Sequence, residues 1–333
     1  MSVTTAPTET TARPPAPARD RRRSLSAGVI QVALVAMALS ALGKAVGDPV
    51  EVIRKVRGAS LGWVALAVVL WALTNVSDAI ATRGAVARRL PLGRTVELEV
   101  AASFTGIATP GGIGTLAMKT RFFQRWGLPG VAAVTSGALV GLGGAVVQVC
   151  LLALSYAAVG SVFDLAPTGS GGRAGSGGGW LVLAVVLVLL VVGIVRRVPS
   201  VRERLVRAAR EAWHNLRAIF VTPAKLVQIL GGNLASQILF ATTLGVSLLA
   251  FGGTLSLPAL ILVNTAATLF GGLSPTPGGL GVTEATMVAA LTAAGVPHAT
   301  AVPAVLLHRL VTSWLTPLPG YIAYRHLTRR GDI

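Results

Sequence analysis

Charge is what this chain has least of. Only 12% of its 333 residues are Asp, Glu, Lys or Arg, against roughly a quarter in a soluble domain. A water-facing surface cannot be assembled from so few ionisable groups. Acids are scarcer than bases: 12 Asp+Glu stand against 29 Lys+Arg, for a formal net charge of +17. The single cysteine, Cys150, excludes an intrachain disulfide, and its apolar surroundings argue against a thiolate metal site. No His/Cys pair has metal-ligand spacing and no Gly-X-Ser-X-Gly elbow occurs. The glycine run within 169–179 lacks the Lys-Ser/Thr ending of a phosphate-binding loop. Nothing here indicates catalysis, so the expectation is a protein that is not an enzyme and uses no cofactor or metal.

What is there is apolar sequence. Hydrophobic residues make up 53% of the chain and the mean hydropathy is +0.71. A spanning helix needs about 20 apolar residues. Windows of that kind fall at 26–43, 61–81, 131–160, 180–195, 227–251, 256–273, 282–296 and 300–324. Another, 97–118, is interrupted by Thr109-Pro110-Gly111-Gly112. The expected fold is an all-α, polytopic membrane helical bundle with about eight or nine membrane segments. Residues 1–24 form a Thr/Pro/Ala-rich tail, 25–325 a single transmembrane domain, and 326–333 a second tail. Arg21-Arg22-Arg23 before the first window resemble the start of a secretory signal. A signal-anchor helix is the simpler reading when so many spans follow.

On a soluble protein the basic excess would suggest nucleic acid. On this chain it reads as topology, because short cytoplasmic loops are enriched in Lys and Arg. Arg19 to Arg23 put the N-terminus inside, and Arg83, Arg88, Arg89 and Arg94 return the chain there. The segment 196–225 carries Arg196, Arg197, Arg202, Arg204, Arg207, Arg210, Arg217 and Lys225 against only Glu203 and Glu211. It is expected in the cytoplasm, as an amphipathic helix on anionic inner-leaflet lipids. No DNA- or RNA-binding motif accompanies it, so nucleic acid is not an expected partner. The 161–179 loop, nearly uncharged, is expected outside. This scheme holds only if 97–118 dips into the membrane and returns, which leaves Lys119, Arg121 and Arg125 inside. Its one cost is the 44–59 loop, whose Lys44, Arg54, Lys55 and Arg57 then lie outside.

The chain also repeats itself. Residues 109–114 read Thr-Pro-Gly-Gly-Ile-Gly and 276–281 read Thr-Pro-Gly-Gly-Leu-Gly. Each copy leads through an apolar stretch to a Gly-X-Pro, Gly127-Leu128-Pro129 and Gly295-Val296-Pro297, so the repeat units are 109–129 and 276–297. If 256–296 is a hairpin, it enters from outside while the first enters from inside. That is an inverted-topology pair with two re-entrant hairpins, an architecture that places substrate between broken helices near mid-membrane. Two ordinary crossings at 256–273 and 282–296 give the same position for the C-terminus. Proline ends a helix and glycines let another group approach the backbone. The restarting helix then offers unpaired N–H groups and its positive end to a phosphate. The plainer alternative is that the glycines only allow close helix packing.

Ionisable residues at membrane depth are costly and so are candidates for function. Glu284 follows the second glycine motif, either as a helix-start carboxylate or as a functional group. His308-Arg309 falls near the middle of the last window, and Glu284 is the natural partner for Arg309. His308 by itself reads as a packing histidine. Lys119 and Arg121 lie beyond the first motif, as headgroup contacts or inside anchors. Asp78 is placed near the cytoplasmic end of its helix, facing headgroups or Arg83. Asn233, Gln237 and Asn264 are expected to form interhelical hydrogen bonds. The candidate substrate-binding set is therefore Thr109, Pro110, Gly111, Gly112, Gly114, Lys119 and Arg121 in the first half. In the second half it is Thr276, Pro277, Gly278, Gly279, Gly281, Glu284, His308 and Arg309.

The run Ser274 to Ala285, SPTPGGLGVTEA, followed by Leu307-His308-Arg309-Leu310, resembles the signature of the lysylphosphatidylglycerol synthase transmembrane (flippase-like) family. Thr109 to Gly114, with Arg121 downstream, is similar to that family's first-half motif. The resemblance covers most of 25–325. It implies a bacterial plasma-membrane protein that moves a phospholipid or lipid-linked substrate between leaflets, with both termini cytoplasmic. It also singles out Glu284 and Arg309. The soluble aminoacyl-transferring domain of full-length synthases is absent, and no glycosyltransferase domain is fused. Lipid lysylation is therefore not expected, and the lipid itself is not specified. The competing expectation is a non-transporting membrane partner that docks a separately encoded synthase or glycosyltransferase.

Overall fold

The computed structural model describes residues 61–86, 88–108, 113–159, 222–274 and 276–333. The tail 1–24, the window 26–43, the 44–59 and 161–179 loops, the window 180–195, nearly all of the basic segment 196–225 and the first break at 109–112 lie outside the described residues. Among the described residues all regular structure is helical. In chain order the helices are α1 Leu61–Gly84, α2 Leu92–Ala108, α3 Ile113–Arg125, α4 Gly130–Val159, α5 Pro223–Leu249, α6 Leu257–Leu273, α7 Val282–Ala293, α8 His298–Arg309 and α9 Pro317–Arg330.

Three of these, α1, α4 and α5, are long and apolar enough to cross a membrane. They turn much of that apolar surface outward: Leu61, Val69, Leu142, Val149 and Leu154 are all more than half exposed. Exposed apolar area on this scale needs a lipid solvent. Helices α3 and α7 are different. With 13 and 12 residues, they reach about 20 and 18 Å at 1.5 Å per residue. The hydrocarbon core is about 30 Å thick.

Both short helices end in the same way. Gly127 and Gly295 adopt φ of 86° and 88°. The Leu128 and Val296 amides then donate back to the Phe123 and Leu291 carbonyls, each at 3.0 Å. A left-handed glycine that closes a helix in this fashion satisfies its last carbonyls. Immediately afterwards the Pro129 and Pro297 carbonyls accept from Ala133 and Ala301, each at 2.9 Å, and start the next helix.

Close packing depends on small residues. Helices α1 and α5 run antiparallel: Gly84 meets the Lys225 carbonyl, and further along Gly232 lies on Ser77 and Ala81. A Cβ on Gly232 would sit 2.6 Å from the Ser77 oxygen and the Ala81 nitrogen, so the two backbones are in contact. One apolar core joins α5, α6, α7 and α8 through Leu244, Leu248, Met287, Leu291 and Val305. A second joins α2, α3 and α9 through Leu98, Phe122, Phe123 and Leu327.

The segment 300–324, expected as one span, is not one continuous helix. After α8 the chain widens into a π-helical turn, Leu310–Trp314, and α9 starts at Pro317. Pro317 sits in the first turn of α9, where a missing N–H costs nothing.

Polar contacts gather several chain ends on one face. Arg94 pairs with Asp332, and the Glu97 carboxylate lies 3.1 Å from His326. Arg88 donates to the Trp126 carbonyl at 2.9 Å, and Lys225 donates to the Val86 carbonyl. The start of α2, the end of α3, the start of α5 and the C-terminus therefore lie together. At the far end of α5, Gly253 approaches Thr300, which places the start of α6 beside the α7–α8 turn.

Candidate functional site

The second Pro-Gly-Gly break is built around positive φ. Pro277–Gly279 form a single 3-10 turn, and Gly278, Gly279 and Gly281 adopt φ of 62°, 65° and 83°. Gly279 also lies against Gly271 on α6, so a Cβ there would meet the Gly271 Cα and carbonyl oxygen at 2.8 Å. The turn satisfies much of its own polarity. The Thr276 hydroxyl donates to the Leu280 carbonyl at 3.1 Å and shares a 2.7 Å hydrogen bond with Ser274. The Thr283 hydroxyl donates to the Gly279 carbonyl at 3.0 Å.

Glu284 joins the break to α8. One carboxylate oxygen accepts the Gly281 N–H at 2.6 Å, as a third-residue acid does in a helix-start box. The other accepts Arg309 Nε, also at 2.6 Å. The pair is buried, with side-chain exposures of 10% for Arg309 and 1% for Glu284. Arg309 Nη2 adds a longer contact, 3.3 Å, to the Gly278 carbonyl. The partner expected for Arg309 is thus the one observed. The expectation of a bare N-terminus changes, because Glu284 already takes the Gly281 amide.

Beside this pair lies a cavity of about 520 Å³, within the usual range of small-molecule sites. Its walls come from α1, α2, α5, α6, α7, α8 and the π turn. Arg309, Thr276, Gly278 and Gly279 line it, and so does His308. His308 is only 2% exposed, and its Nδ1 has no hydrogen-bond partner among the described residues. A buried imidazole nitrogen left unpaired costs free energy unless something else meets it. Gln237 and Asn264 also face the cavity. Asn233 does too, but its amide donates to Ile229 on its own helix at 2.8 Å rather than across to a neighbour.

The first half contributes a second buried ion pair. Lys119 on α3 lies 2.9 Å from Glu99 on α2, and Thr82 on α1 joins both. Asp78, one turn before Thr82, lines the cavity together with Ser236. Arg83, the alternative partner expected for it, instead donates to the Leu90 carbonyl at 2.8 Å. Arg121 is exposed and borders a separate surface recess on α3. Gly114 lies in the first turn of α3, and Thr109, Pro110, Gly111 and Gly112 fall outside the described residues. Sequence reasoning passed over Glu99 and gave Asp78 only a headgroup or loop role. The available signal for Glu99 was a carboxylate inside an apolar window. Among the described residues no group of His, Cys, Asp or Glu is arranged to hold a metal ion.

A chain whose described regular structure is all helical, with outward apolar helices and buried ion pairs beside a polar cavity, is a helical membrane protein. The family model for the lysylphosphatidylglycerol synthase TM region matches residues 28–320, nearly the whole chain, and the protein belongs to that family. No curated protein matches it in a sequence comparison.

Proposed function

We propose that the protein is a multi-pass lipid transporter of the plasma membrane that moves a phospholipid or lipid-linked substrate between leaflets and is not an enzyme. The observation that carries this reading is the polar cavity beside the buried Glu284–Arg309 pair, lined by Arg309 and His308. A phosphate oxygen there accepts from the guanidinium and from an imidazole N–H, or a headgroup hydroxyl donates to the other ring nitrogen. Glu284 holds Arg309 in place and keeps its charge compensated when the cavity is empty.

Transport by alternating access needs a site reachable from both sides, and an inverted pair of hairpins supplies one. Three facts support that arrangement. Helices α3 and α7 fall short of the bilayer core. The Arg88–Trp126 contact brings the end of α3 back to the face where α2 begins. The Gly253–Thr300 approach brings the α7–α8 turn to the opposite face, where α6 begins. In this reading the face carrying Arg88, Arg94, Lys225 and the C-terminus is cytoplasmic, against anionic lipids.

The test is reconstitution of the full chain into vesicles holding acyl-labelled phospholipids, with leaflet exchange followed by an impermeant quencher. Exchange faster than in empty vesicles is expected, and His308→Phe should slow it while the protein remains folded. No exchange for anionic, zwitterionic or cationic headgroups would overturn the proposal.

A further inference from the structure

The cavity has two charged pairs near it and one charge left over. Glu284 compensates Arg309 across 2.6 Å, and Glu99 compensates Lys119 across 2.9 Å. Glu99 is fully engaged as an anion: Oε2 meets the ammonium, and Oε1 accepts the Thr82 hydroxyl at 2.5 Å. The Thr82 oxygen in turn accepts from Lys119 at 3.2 Å. Thr82 is fully buried and Glu99 and Lys119 nearly so, so this triangle is closed in its charged form.

Asp78 is the remaining carboxyl. It lies on α1 one helical turn before Thr82, on the same face. The ionisable groups that meet Thr82 are Glu99 on α2 and Lys119 on α3, and they are spent on each other. Helix α5 brings Ser236, an uncharged residue, to the cavity. Lys225, at the start of α5, is spent on the Val86 carbonyl. The π turn Leu310–Trp314 packs on α1 without an ionisable residue. Helix α4 carries only Cys150 and Tyr156, both exposed. Among the described residues no cation pairs with Asp78. Of the ionisable groups lining the cavity, Asp78, His308 and Arg309, it is the only acid.

We infer that Asp78 is a proton-exchange site of the cavity, taking one proton from water there when the headgroup site fills and returning it when the site empties. Lys119 is spent on Glu99, so without that proton Asp78 carries a negative charge with which no cation among the described residues pairs, where solvation is poor. Glu99 already holds Lys119 and Thr82, whereas Asp78 faces the cavity. His308 and Arg309 line the same cavity. An anionic headgroup entering beside Arg309 favours neutral Asp78, so binding takes up a proton. The coupling rests on the lipid-transport reading; the proton site does not.

Two measurements on the full chain separate these claims. Infrared difference spectra across a pH titration, in lipid nanodiscs, should show a protonated carboxyl band that vanishes in alkali. The band should shift with isotope-labelled aspartate, disappear in Asp78→Asn and survive in Glu99→Gln. The labelling identifies aspartate even if Asp78→Asn fails to fold. Absence of a titrating aspartate band, or its persistence in folded Asp78→Asn, overturns the inference whether or not lipid moves. In vesicles, exchange should slow as pH rises, by at most about tenfold per pH unit for a single proton, and Asp78→Asn should flatten that profile. A pH-independent exchange rate in the wild type overturns the coupling and leaves transport standing. A titrating Asp78 with no lipid exchange overturns transport and leaves the proton site standing.

Discussion

Glu284 satisfies two donors at once, the Gly281 amide and the Arg309 guanidinium, from a position that is 1% exposed. Removing one member of a buried pair leaves the other charge uncompensated, at a cost of about 3 to 5 kcal/mol. Arg309→Gln and Glu284→Gln are each expected to lower the unfolding midpoint in detergent and to abolish lipid exchange. Replacing both removes the buried charge altogether, and the double variant should recover most of the lost stability but none of the transport. Thermal unfolding beside vesicle exchange checks both halves of that statement. Stability unchanged in the single variants would mean the pair contributes nothing. This pair was legible in the sequence because two lone charges in apolar windows have few other places to go. Asp78 was less legible. Its position looked peripheral when the second window was taken to end near residue 81, but α1 continues to Gly84. Gly232 then lets α5 come close enough for Ser236 to line the same cavity as Asp78. Both facts depend on packing that no single segment encodes.

Among the elements, the α6–break–α7 hairpin is held by backbone proximity rather than by side-chain bulk. Gly271 faces Thr283 so closely that no Cβ fits, and Gly279 combines φ of 65° with a 2.8 Å approach to Gly271. The α2–α3 pair uses the same device, with Gly106 against the Thr115 hydroxyl at 2.5 Å from an added Cβ. Overpacking of this kind costs about 1 to 3 kcal/mol, and at Gly279 the strained φ adds to it. Gly279→Ala is therefore expected to destabilise more than Gly272→Ala, where nothing lies within 4 Å of the added methyl. Unfolding midpoints of the two variants in one detergent check this, and equal midpoints would count against the tight hairpin. The second Thr-Pro-Gly-Gly announced its break plainly, because proline and paired glycines disfavour a continuous helix. The break between α8 and α9 was harder to see. Hydropathy runs unbroken through Leu310–Trp314, and a π turn leaves no mark on composition.

At the scale of the molecule, the contacts that gather chain ends on one face turn a charge count into a geometric statement. Arg88 on Trp126, Arg94 on Asp332 and Lys225 on Val86 join segments that the inside-positive rule had assigned separately to the cytoplasm. If α2 and α3 form a re-entrant hairpin, Gly93 and Gln124 must be reached from the same side, although 30 residues separate them. If α6 and α7 form its inverted counterpart, Ser256 and Ala293 must both be reached from the other side. All four positions are exposed, and Gly93 has open space around it. The measurement is labelling of single cysteines at these positions by an impermeant maleimide in intact cells and in inverted vesicles, after Cys150→Ser. Gly93→Cys and Gln124→Cys should react only in inverted vesicles, and Ser256→Cys and Ala293→Cys only in intact cells. Opposite-side labelling within the first pair would make α2–α3 a crossing, flip every later loop and place Lys225 outside. The inverted pair would fail with it. A cavity served from both leaflets would then need a different architecture, since a single re-entrant break opens toward one side only.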